Sequence, residues 1–551
     1  MKKKLVPVLV VLLLIFVVGV AGVVTHLIRK YTPTKEVMDP GQYYGEMSDE
    51  EIPIMIDTEI LEQRGIFQNG NAYVSLDTVN ASLNKRFYWD QEAQALLYST
   101  TEETLRQEPG DGTSARVILY QDSVYVDISY VAEYTDIEYS IYENPNRLVI
   151  QKTWENYRAG QAKTATEVRY QGGIKSPILT TLQEGDQVRL LETFDNWVEV
   201  ATQDGYVGYV QLSDVEDLGV ISEERTGIEE ETFTQLAMEE PVNLVWHQVT
   251  STDANATFDD AVADMTGVNV ISPTWFSIAD NDGNLTSLAE ADYVNKAHAK
   301  GLQVWALIDN FSEEIQTETV LAKESARANI IETLVKEAVN CGIDGINVDF
   351  ESMSEEAIPH FLQFLRELSI VTHKNNLVLS VDNPVPEGYT VYYDRGEQGR
   401  VADYIIIMGY DEHYRGDTEA GSVASLPWVE QGIQDTLSEV PANKVINGIP
   451  FYTRIWKTSA GIVTSEAVGM DEAADFVKEN KIETYWEKTT SQNYGSVTVN
   501  NDTYQIWLED ADSIAEKMKL ISSYDLAGVA AWKLGLENAD IWSVISEGLQ
   551  G

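Results

Sequence analysis

The chain is poor in cysteine and histidine. Cys341 is its only cysteine among 551 residues, so no disulfide can form within the chain. The histidines show no H-E-x-x-H motif and no paired spacing of the kind that holds a metal ion. There are six of them: His26, His247, His298, His360, His373 and His413. The Gly-x-Ser-x-Gly motif of serine hydrolases is also absent. The sequence therefore predicts no metal site and no cofactor, and it gives no support to a serine or cysteine nucleophile.

Positive charge is scarce as well. The chain carries 38 lysines and arginines against 89 aspartates and glutamates, a formal net charge of -51 at pH 7. Because phosphate binding requires basic patches, this balance argues against nucleic acid as a partner. A polyanionic surface also resists adsorption to anionic membranes and wall polymers, so such a protein can work beside them without being trapped.

One long stretch, residues 5–28, has no Asp, Glu, Lys or Arg. Its 24 residues are enough to span a bilayer with some tilt. Three lysines precede it and acidic sequence follows, so the positive-inside tendency predicts a cytoplasmic N-terminus and an extracellular bulk. We expect residues 1–30 to be a cytoplasmic stub and a single-pass cell-membrane anchor. The alternative is secretion after cleavage near the small residues Gly19 and Ala21.

The length predicts several domains. Residues 31–50 are polar and are expected to form a stalk. Residues 51–153 contain a weak internal repeat: the segments 72–79 and 124–131 each predict a strand and a short helix, followed by two further strands. This pattern resembles the small N-terminal domain of copper amine oxidases, and it predicts a spacer or wall-contact module without copper chemistry.

Residues 160–216 carry short alternating strands with turn signals, including the paired segments 195–200 and 204–210. This region resembles a bacterial Src-homology-3-like domain, in which exposed aromatics bind cell-wall peptide. Trp197 and Tyr209 are equally well explained as core residues. The acid-rich residues 217–240 are expected to be a solvated linker.

Strand and helix signals alternate through residues 241–551, which predicts a parallel sheet. The candidate strands are residues 243–247, 268–273, 303–308, 345–350, 377–381, 404–408, 444–449 and 528–532. Eight such strands in about 310 residues are typical of a (β/α)8 barrel. The predicted fold is therefore a transmembrane helix, a small α+β domain, a small all-β barrel and a C-terminal TIM barrel.

The segment 344–351, D-G-I-N-V-D-F-E, is the centre of the functional prediction. Side chains two apart on a strand point the same way, so Asn347, Asp349 and Glu351 are expected to face one pocket. The alternation with apolar residues argues against a merely solvated acidic turn. Acids at the end of a barrel strand are typical of a catalytic face.

This segment resembles the D-x-x-D-x-D-x-E signature of glycoside hydrolase family 18, the chitinase-like family, with Asn347 in place of the middle acid. The resemblance extends to M-G-Y-D at 408–411, N-G-I-P-F-Y-T-R at 447–454 and the tryptophan at 532. The runs 410–414 and 507–510 are more similar to the spore-cortex and peptidoglycan branch than to other chitinases.

The resemblance implies substrate-assisted retaining hydrolysis, in which the sugar's own acetamido oxygen attacks. It makes Glu351 the general acid and base, while Asp349 orients the acetamido group and Tyr410 donates to its oxygen. Asp344 is expected to anchor the strand. The remaining residues implied to bind substrate are Trp532, Asp411, Met408, Trp275, Asn347, Asp382, Tyr452 and Arg454.

The implied substrate is a polymer containing N-acetylglucosamine, with peptidoglycan first. Two alternatives stay open. One is an enzyme acting on chitin or N-glycans. The other is a glycan-binding barrel without turnover, since the middle acid of the family signature, which shares a proton with the next acid, is replaced by Asn347 here.

Overall fold

The computed structural model describes residues 5–222, 228 and 231–550, which fall into two compact units. One unit comprises residues up to 87 together with 107–230, and the other comprises residues 88–106 together with 231 onward. The lysines expected to precede the anchor, and residues 223–227 and 229–230 of the expected linker, lie outside the described residues.

The first element of the first unit is the helix Leu5–Tyr31. Its segment Pro7–Tyr31 is long and apolar enough to cross a bilayer, and none of it is covered by other parts of the chain. The basic residues Arg29 and Lys30 lie in its last turn. Both a signal anchor and a signal peptide fit these properties.

A seven-stranded mixed sheet follows. Its strands, in spatial order, are Val117–Tyr120, Ser123–Asp127, Asn71–Ser75, Glu59–Gln68, Glu51–Ile56, Arg147–Gln151 and Glu138–Tyr142. Two short helices, Leu76–Ser82 and Ile128–Glu133, each follow a strand directly, and each is N-capped by a side chain, that of Ser75 or Asp127. The predicted order of strand, short helix, strand and strand is present in both copies of the repeat.

A second seven-stranded sheet corresponds to the predicted Src-homology-3-like domain. Its strands are Tyr157–Ala162, Thr166–Arg169, Ile178–Leu182, Gln187–Thr193, Trp197–Thr202, Val207–Gln211 and Val215–Ile221. Residues 217–221, expected in the acidic linker, instead pair with the first strand, so the linker is shorter than predicted. The acids of this region predicted a solvated linker, but the segment 217–221 also contains Leu218, Val220 and Ile221, which suit a strand.

The expected stalk is also partly folded. Thr34 and Met38 make backbone hydrogen bonds with Ile174 and Ile178 of the second sheet. The short helix Pro40–Tyr44 packs its tyrosines there, and the Tyr44 hydroxyl donates to the carbonyl of Gly205 at 2.9 Å. The segment is polar on average, so a stalk was expected, but the packing of Tyr43 and Tyr44 holds it on the sheet.

The second unit contains a closed barrel of eight parallel strands, in agreement with the predicted fold. The strands are β1 Val242–His247, β2 Val270–Ile278, β3 Gln303–Asp309, β4 Gly345–Asp349, β5 Val378–Pro384, β6 Tyr404–Met408, β7 Val445–Pro450 and β8 Gly528–Trp532. The main surrounding helices are Ala291–Ala299, Glu324–Cys341, Ile358–Lys374, Arg395–Val401, Leu426–Leu437, Ala511–Ser523 and Ile541–Gln550.

Two layers of apolar side chains hold the barrel. Inside it, Trp246, Trp305 and Ile406 belong to one buried cluster. Outside it, strand residues such as Ile346 and Val348 pack against the surrounding helices. This alternation along β4 is what turns Asn347 and Asp349 inward.

An additional small sheet lies between β7 and β8 and was not predicted. Its strands are Tyr452–Ser459, Ile462–Gly469, Thr484–Glu487, Gln492–Val499 and Asp502–Leu508, and the helix Met470–Glu479 packs on it. The insertion is joined to the following helix by a fully buried ion pair between Glu509 and Lys517 at 3.0 Å.

Residues 88–106 also belong to the barrel unit, although they lie within the range expected for the spacer domain. We call them the arm. Its strands Tyr88–Asp90, Ala95–Ser99 and Thr104–Gln107 form a separate three-stranded sheet. Asp90 of the arm pairs with Arg327 at 3.0 Å, and both side chains are fully buried. The arm is therefore part of the folded core of this unit.

Candidate active site

The candidate site is built around the carboxyl end of β4. Asn347 and Asp349 point into the barrel, and Glu351 follows two residues after Asp349. Asp349 lies beside Asp309 of β3, since these two residues are register partners on neighbouring strands. On the outer side, Phe350 stacks on Phe364 with ring centres 5.7 Å apart, which fixes the end of the strand against a helix.

Asn347 is buried and makes four hydrogen bonds. Its Nδ2 donates to Asp382 Oδ1 at 2.7 Å and to Ser380 Oγ at 3.0 Å. Its Oδ1 accepts from Trp246 Nε1 at 2.9 Å and from Ser272 Oγ at 3.2 Å. The full hydrogen-bonding capacity of the amide is therefore used. Asn347 holds Asp382 in the site and does not face open space.

Three acids of the site have raised pKa values. Burial is the main cause for Asp349, and the charges of Asp382, Glu351 and Asp309 raise its pKa further. The pKa of Asp382 is also raised, first by burial. The pKa of Glu351 is raised by burial and then by the charges of Asp411 and Asp309. A carboxyl with a raised pKa can hold a proton at the working pH and give it to a reacting group.

One oxygen of Asp349 has a special position. Its Oδ1 is buried and has no hydrogen-bond partner among the described residues. A buried acceptor without a donor costs free energy, so such an atom marks a place where a ligand can donate. Asp349 lines a cavity of about 370 Å³, and Asp309, Trp275 and Trp532 line it as well.

Asn310 holds the backbone of Glu351; its place at the end of a barrel strand predicts a position near the pocket, but not this role. Its Oδ1 accepts from the Glu351 N–H at 2.9 Å, and its Nδ2 donates to the Glu351 carbonyl at 2.9 Å. Nδ2 also donates to Thr317 Oγ1 at 2.8 Å. The only sequence signal was the position of Asn310 directly after a barrel strand, which is shared by many residues of no catalytic importance.

Tyr410 and Asp411 follow β6. Burial raises the pKa of the Tyr410 phenol, so it stays a hydrogen-bond donor, and the charges of Asp349, Asp382 and Glu351 act in the same direction. Tyr452 donates from its hydroxyl to Asp411 Oδ1 at 2.5 Å. Asp411 has a φ of 66°, a left-handed backbone conformation that Asp adopts more readily than most residues.

The other predicted residues are placed as follows. Met408 ends β6 and is partly exposed. Arg454 donates from Nη1 to Ser465 Oγ at 3.1 Å within the inserted sheet. Trp532 ends β8 and lies 5.9 Å, ring to ring, from Trp246. Trp275 is only 1% exposed, and its indole N–H donates to Asn255 at 2.9 Å, so its ring is mainly part of the wall structure.

Asp344 lies at the opposite end of β4 from Asp349. Its Oδ2 accepts from the Val304 N–H at 2.8 Å and lies 2.8 Å from Nε2 of His298. It therefore ties the start of β4 to β3 and to the helix Ala291–Ala299, and it is remote from the cavity. Nδ1 of His413, the histidine nearest in sequence to Tyr410, lies 3.3 Å from Oδ2 of Asp417.

Family models match two parts of the chain. The model of glycosyl hydrolases family 18 matches residues 233–537, and the model of the bacterial SH3 domain matches residues 164–216. The first match covers more than half of the chain and includes all eight barrel strands. The second agrees with the domain predicted at 160–216.

Two curated relatives come from Bacillus subtilis (strain 168). The uncharacterized glycosylase YvbX is 27% identical over 311 residues, which are 54% of this chain and 90% of YvbX. The cortical fragment-lytic enzyme is 27% identical over 246 residues, 43% of this chain and 57% of that enzyme. The chain thus spans little more than half the length of the second relative.

Solved structures share the fold of the barrel. The spore cortex-lytic enzyme SleL of Bacillus cereus aligns with a TM-score of 0.51 at 21% identity, over 60% of this chain and 79% of that one. A chitinase from Chromobacterium violaceum aligns with a TM-score of 0.50 at 22% identity, over 56% and 99%.

Proposed function

Since the chain belongs to glycosyl hydrolases family 18 and is a glycosidase, we propose that it cleaves β-1,4 bonds in glycans that contain N-acetylglucosamine, with peptidoglycan as its substrate. The observation that carries this proposal is the group formed by Glu351, Asp349 and Tyr410 at the mouth of the barrel. An acid with a raised pKa, a buried acceptor to which no described residue donates and a phenol that keeps its proton stand together there.

The proposed mechanism is retaining and substrate-assisted. Glu351 gives its proton to the glycosidic oxygen as the bond from that oxygen to the anomeric carbon breaks. The acetamido oxygen of the same sugar forms a new bond to the anomeric carbon, and an oxazolinium results. Water then attacks this carbon and loses a proton to Glu351, which restores the acid.

Asp349 and Tyr410 have complementary tasks in this mechanism. Asp349 accepts the acetamido N–H at Oδ1, which has no donor within the described part of the chain, and this turns the acetamido oxygen toward the anomeric carbon. Tyr410 donates to the acetamido oxygen as charge develops on the group. Trp532 supplies an apolar face beside the cavity, on which the sugar ring stacks.

Three observations support peptidoglycan over other polymers. One relative is named a cortical fragment-lytic enzyme. The first unit contains a bacterial SH3 domain, which we propose contacts the wall. The N-terminal helix, acting as an uncleaved anchor, would hold the enzyme at the outer face of a cell membrane, where peptidoglycan is the nearest glycan.

Mass analysis of released fragments tests the substrate and the bond. The enzyme is incubated separately with purified peptidoglycan, chitin and N-glycan substrates. We expect fragments that end in reducing N-acetylglucosamine from peptidoglycan, at a higher rate than from the other two. Fragments that end in reducing N-acetylmuramic acid, or cleavage of chitin or N-glycans alone, would overturn the proposal.

A further inference from the structure

A second cavity lies in the first unit, between the α+β sheet and the Src-homology-3-like sheet, and it has a volume of about 640 Å³. This volume is within the range of about 300–1,000 Å³ typical of ligand sites, which often form where two folded lobes meet. Polar and aromatic side chains share its lining, among them Asp57, Glu138, Tyr139, Tyr142, Gln187 and Arg189.

The two lobes are fixed to each other by Arg147. This residue belongs to the α+β sheet, is only 5% exposed and forms an ion pair with Asp204 of the other lobe at 3.0 Å. Its guanidinium also lies over the rings of Tyr142 and Tyr206, 5.1 Å and 4.8 Å from their centres. Because one buried cation joins both lobes, the cavity is formed before any ligand arrives.

The lining has the chemistry of a carbohydrate site. Tyr139 is 36% exposed and offers an aromatic surface for stacking. The guanidinium of Arg189 lies 4.3 Å from the centre of the Tyr157 ring, which orients it at the cavity wall. The exposed amides of Gln187 and Gln203 add donors and acceptors that suit hydroxyl and acetamido groups.

The charge of the lining selects against anions. Asp57 and Glu138 outnumber the one cation, Arg189, among the lining side chains. Asp57 is held in place, since its Oδ1 accepts from the backbone N–H groups of Lys152 and Thr153 at 2.9 Å and 3.1 Å and its Oδ2 accepts from Thr153 Oγ1 at 2.7 Å. A neutral chain rich in hydroxyl and amide groups therefore fits this cavity better than a phosphate-bearing or strongly acidic polymer.

We propose that this cavity is a glycan-binding site that holds the neutral N-acetylglucosamine units of a sugar chain. The identity of that chain rests on the proposed function, because we take it to be the polymer that the barrel cleaves. The chemistry of the cavity itself does not depend on that assignment. A second binding site in the same protein keeps a long sugar polymer bound between cleavage events, since it raises the local concentration of substrate at the barrel.

Binding to insoluble and soluble glycans tests the proposal. Full-length protein in detergent, carrying Glu351→Gln to prevent turnover, is mixed with purified peptidoglycan glycan strands, with N-acetylglucosamine oligomers and with stem-peptide fragments. The cavity variants are Tyr139→Ala, Arg189→Ala and the milder Arg189→Gln. The matched controls are Arg158→Ala, an exposed arginine paired with Asp217, and Tyr170→Ala, a tyrosine that is 43% exposed.

We expect each cavity variant to raise the Kd for glycan strands at least five-fold, and the controls to leave it unchanged. With Glu351 intact, hydrolysis of a short soluble oligomer should be the same in all variants. Equal binding by cavity variants and controls would overturn the proposal, and so would competition by stem peptides but not by sugar oligomers. A failure of the proposed function gives a different result. In that case the protein hydrolyses none of the glycans, but its binding to glycan still depends on Tyr139 and Arg189.

Discussion

Asn347 occupies the position at which the family signature carries its middle acid, and its surroundings explain why an amide is stable there. An amide donates to Asp382 and Ser380 while accepting from Trp246 and Ser272. A carboxylate has no hydrogen to donate, so it would leave Asp382 with one partner fewer and add a charge to a group of buried acids. In this chain the acidic neighbours of Asp349 are Asp382, Glu351 and Asp309.

The first prediction concerns Asn347→Asp. The new carboxyl is buried among acids, so its folded-state pKa is raised above the unfolded value of about 3.9. The fold then binds more protons than the unfolded chain, so stability is retained at low pH and lost as the pH rises through the folded pKa. We expect the barrel to lose about 1–3 kcal/mol at pH 8 and much less at pH 4.5.

Thermal unfolding of wild type and variant at both pH values measures this difference. Asn295→Asp is the matched control, because Asn295 is exposed on the helix Ala291–Ala299. An equal loss of stability at pH 4.5 and pH 8 would show that charge burial is not the cause.

The second prediction concerns Asn310, a positioning residue for Glu351. Asn310→Ala removes both hydrogen bonds to the Glu351 backbone, so the carboxyl is held less accurately. Because small displacements of a catalytic group are costly, we expect kcat to fall about 10–100-fold with little change in KM. Steady-state kinetics on a soluble oligomer measure both constants.

The pH profile separates positioning from a general loss of stability. Asn310→Ala should change the pH at which kcat declines on the alkaline side, because the surroundings of Glu351 change. Asn295→Ala is the control and should leave the kinetics untouched. A rise in KM at constant kcat would assign Asn310 to substrate binding instead.

Much of the site could be predicted from the alternation of polar and apolar residues along β4. Asn347 and Asp349 share the inward face of β4, and apolar neighbours supply the outward face. The role of Asn310 could not be predicted, because it depends on a contact between the ends of two strands that are 41 residues apart in sequence. Trp275 had the right residue type and position, yet its partner Asn255 holds its indole N–H in the wall.

At the scale of elements, the arm at residues 88–106 has a simple energetic basis. Arg327 is fully buried on the helix Glu324–Cys341 and is paired with both Asp90 of the arm and Glu367 of the helix Ile358–Lys374. Gln363 adds a hydrogen bond to Ser99 at 3.1 Å. A buried cation requires its partners, so the arm completes the charge balance between two barrel helices.

The third prediction is that Asp90→Ala destabilises the barrel unit by about 3 kcal/mol, at the lower end of the range for a broken buried pair, because Glu367 remains. Glu92→Ala is the matched control on the same arm. Glu92 is exposed and accepts from Ser325, so its loss should cost less than about 1 kcal/mol. Chemical denaturation followed by tryptophan fluorescence measures both, and equal effects would contradict this account of the arm.

The barrel strands were the most predictable elements, and the inserted sheet was the least. Strands β6 and β8 have the predicted bounds, because the apolar run of β6 ends before Gly409 and that of β8 ends at Trp532. The inserted sheet between Tyr452 and Leu508 follows β7 after a single residue, so in the sequence its first strand cannot be distinguished from a continuation of β7. The position of the arm could not be predicted either, since its alternation of apolar and polar residues is the same whether it pairs within a spacer domain or packs on a barrel.

At the scale of the whole molecule, the N-terminal helix fits either a signal anchor or a cleaved signal peptide. The fourth prediction is that the helix is retained as an anchor, because its apolar segment is longer than a typical signal-peptide core. After expression in a bacterial host, we expect the protein to stay in the membrane pellet through an alkaline carbonate wash. A variant without residues 1–31 should be soluble. Protein in the medium with a new N-terminus near residue 22 would show cleavage instead.

The account as a whole depends on proton transfer by Glu351, and release of reducing ends from purified peptidoglycan measures it most directly. We predict that Glu351→Gln lowers the rate about 10²–10⁴-fold, and that Glu355→Gln, an exposed acid nearby, leaves it unchanged. Because the Glu351 pKa is raised, wild-type activity should persist above the ordinary range of a glutamate and decline as the pH rises through that raised pKa. Release by Glu351→Gln at the wild-type rate, from a preparation that is folded, would contradict the account.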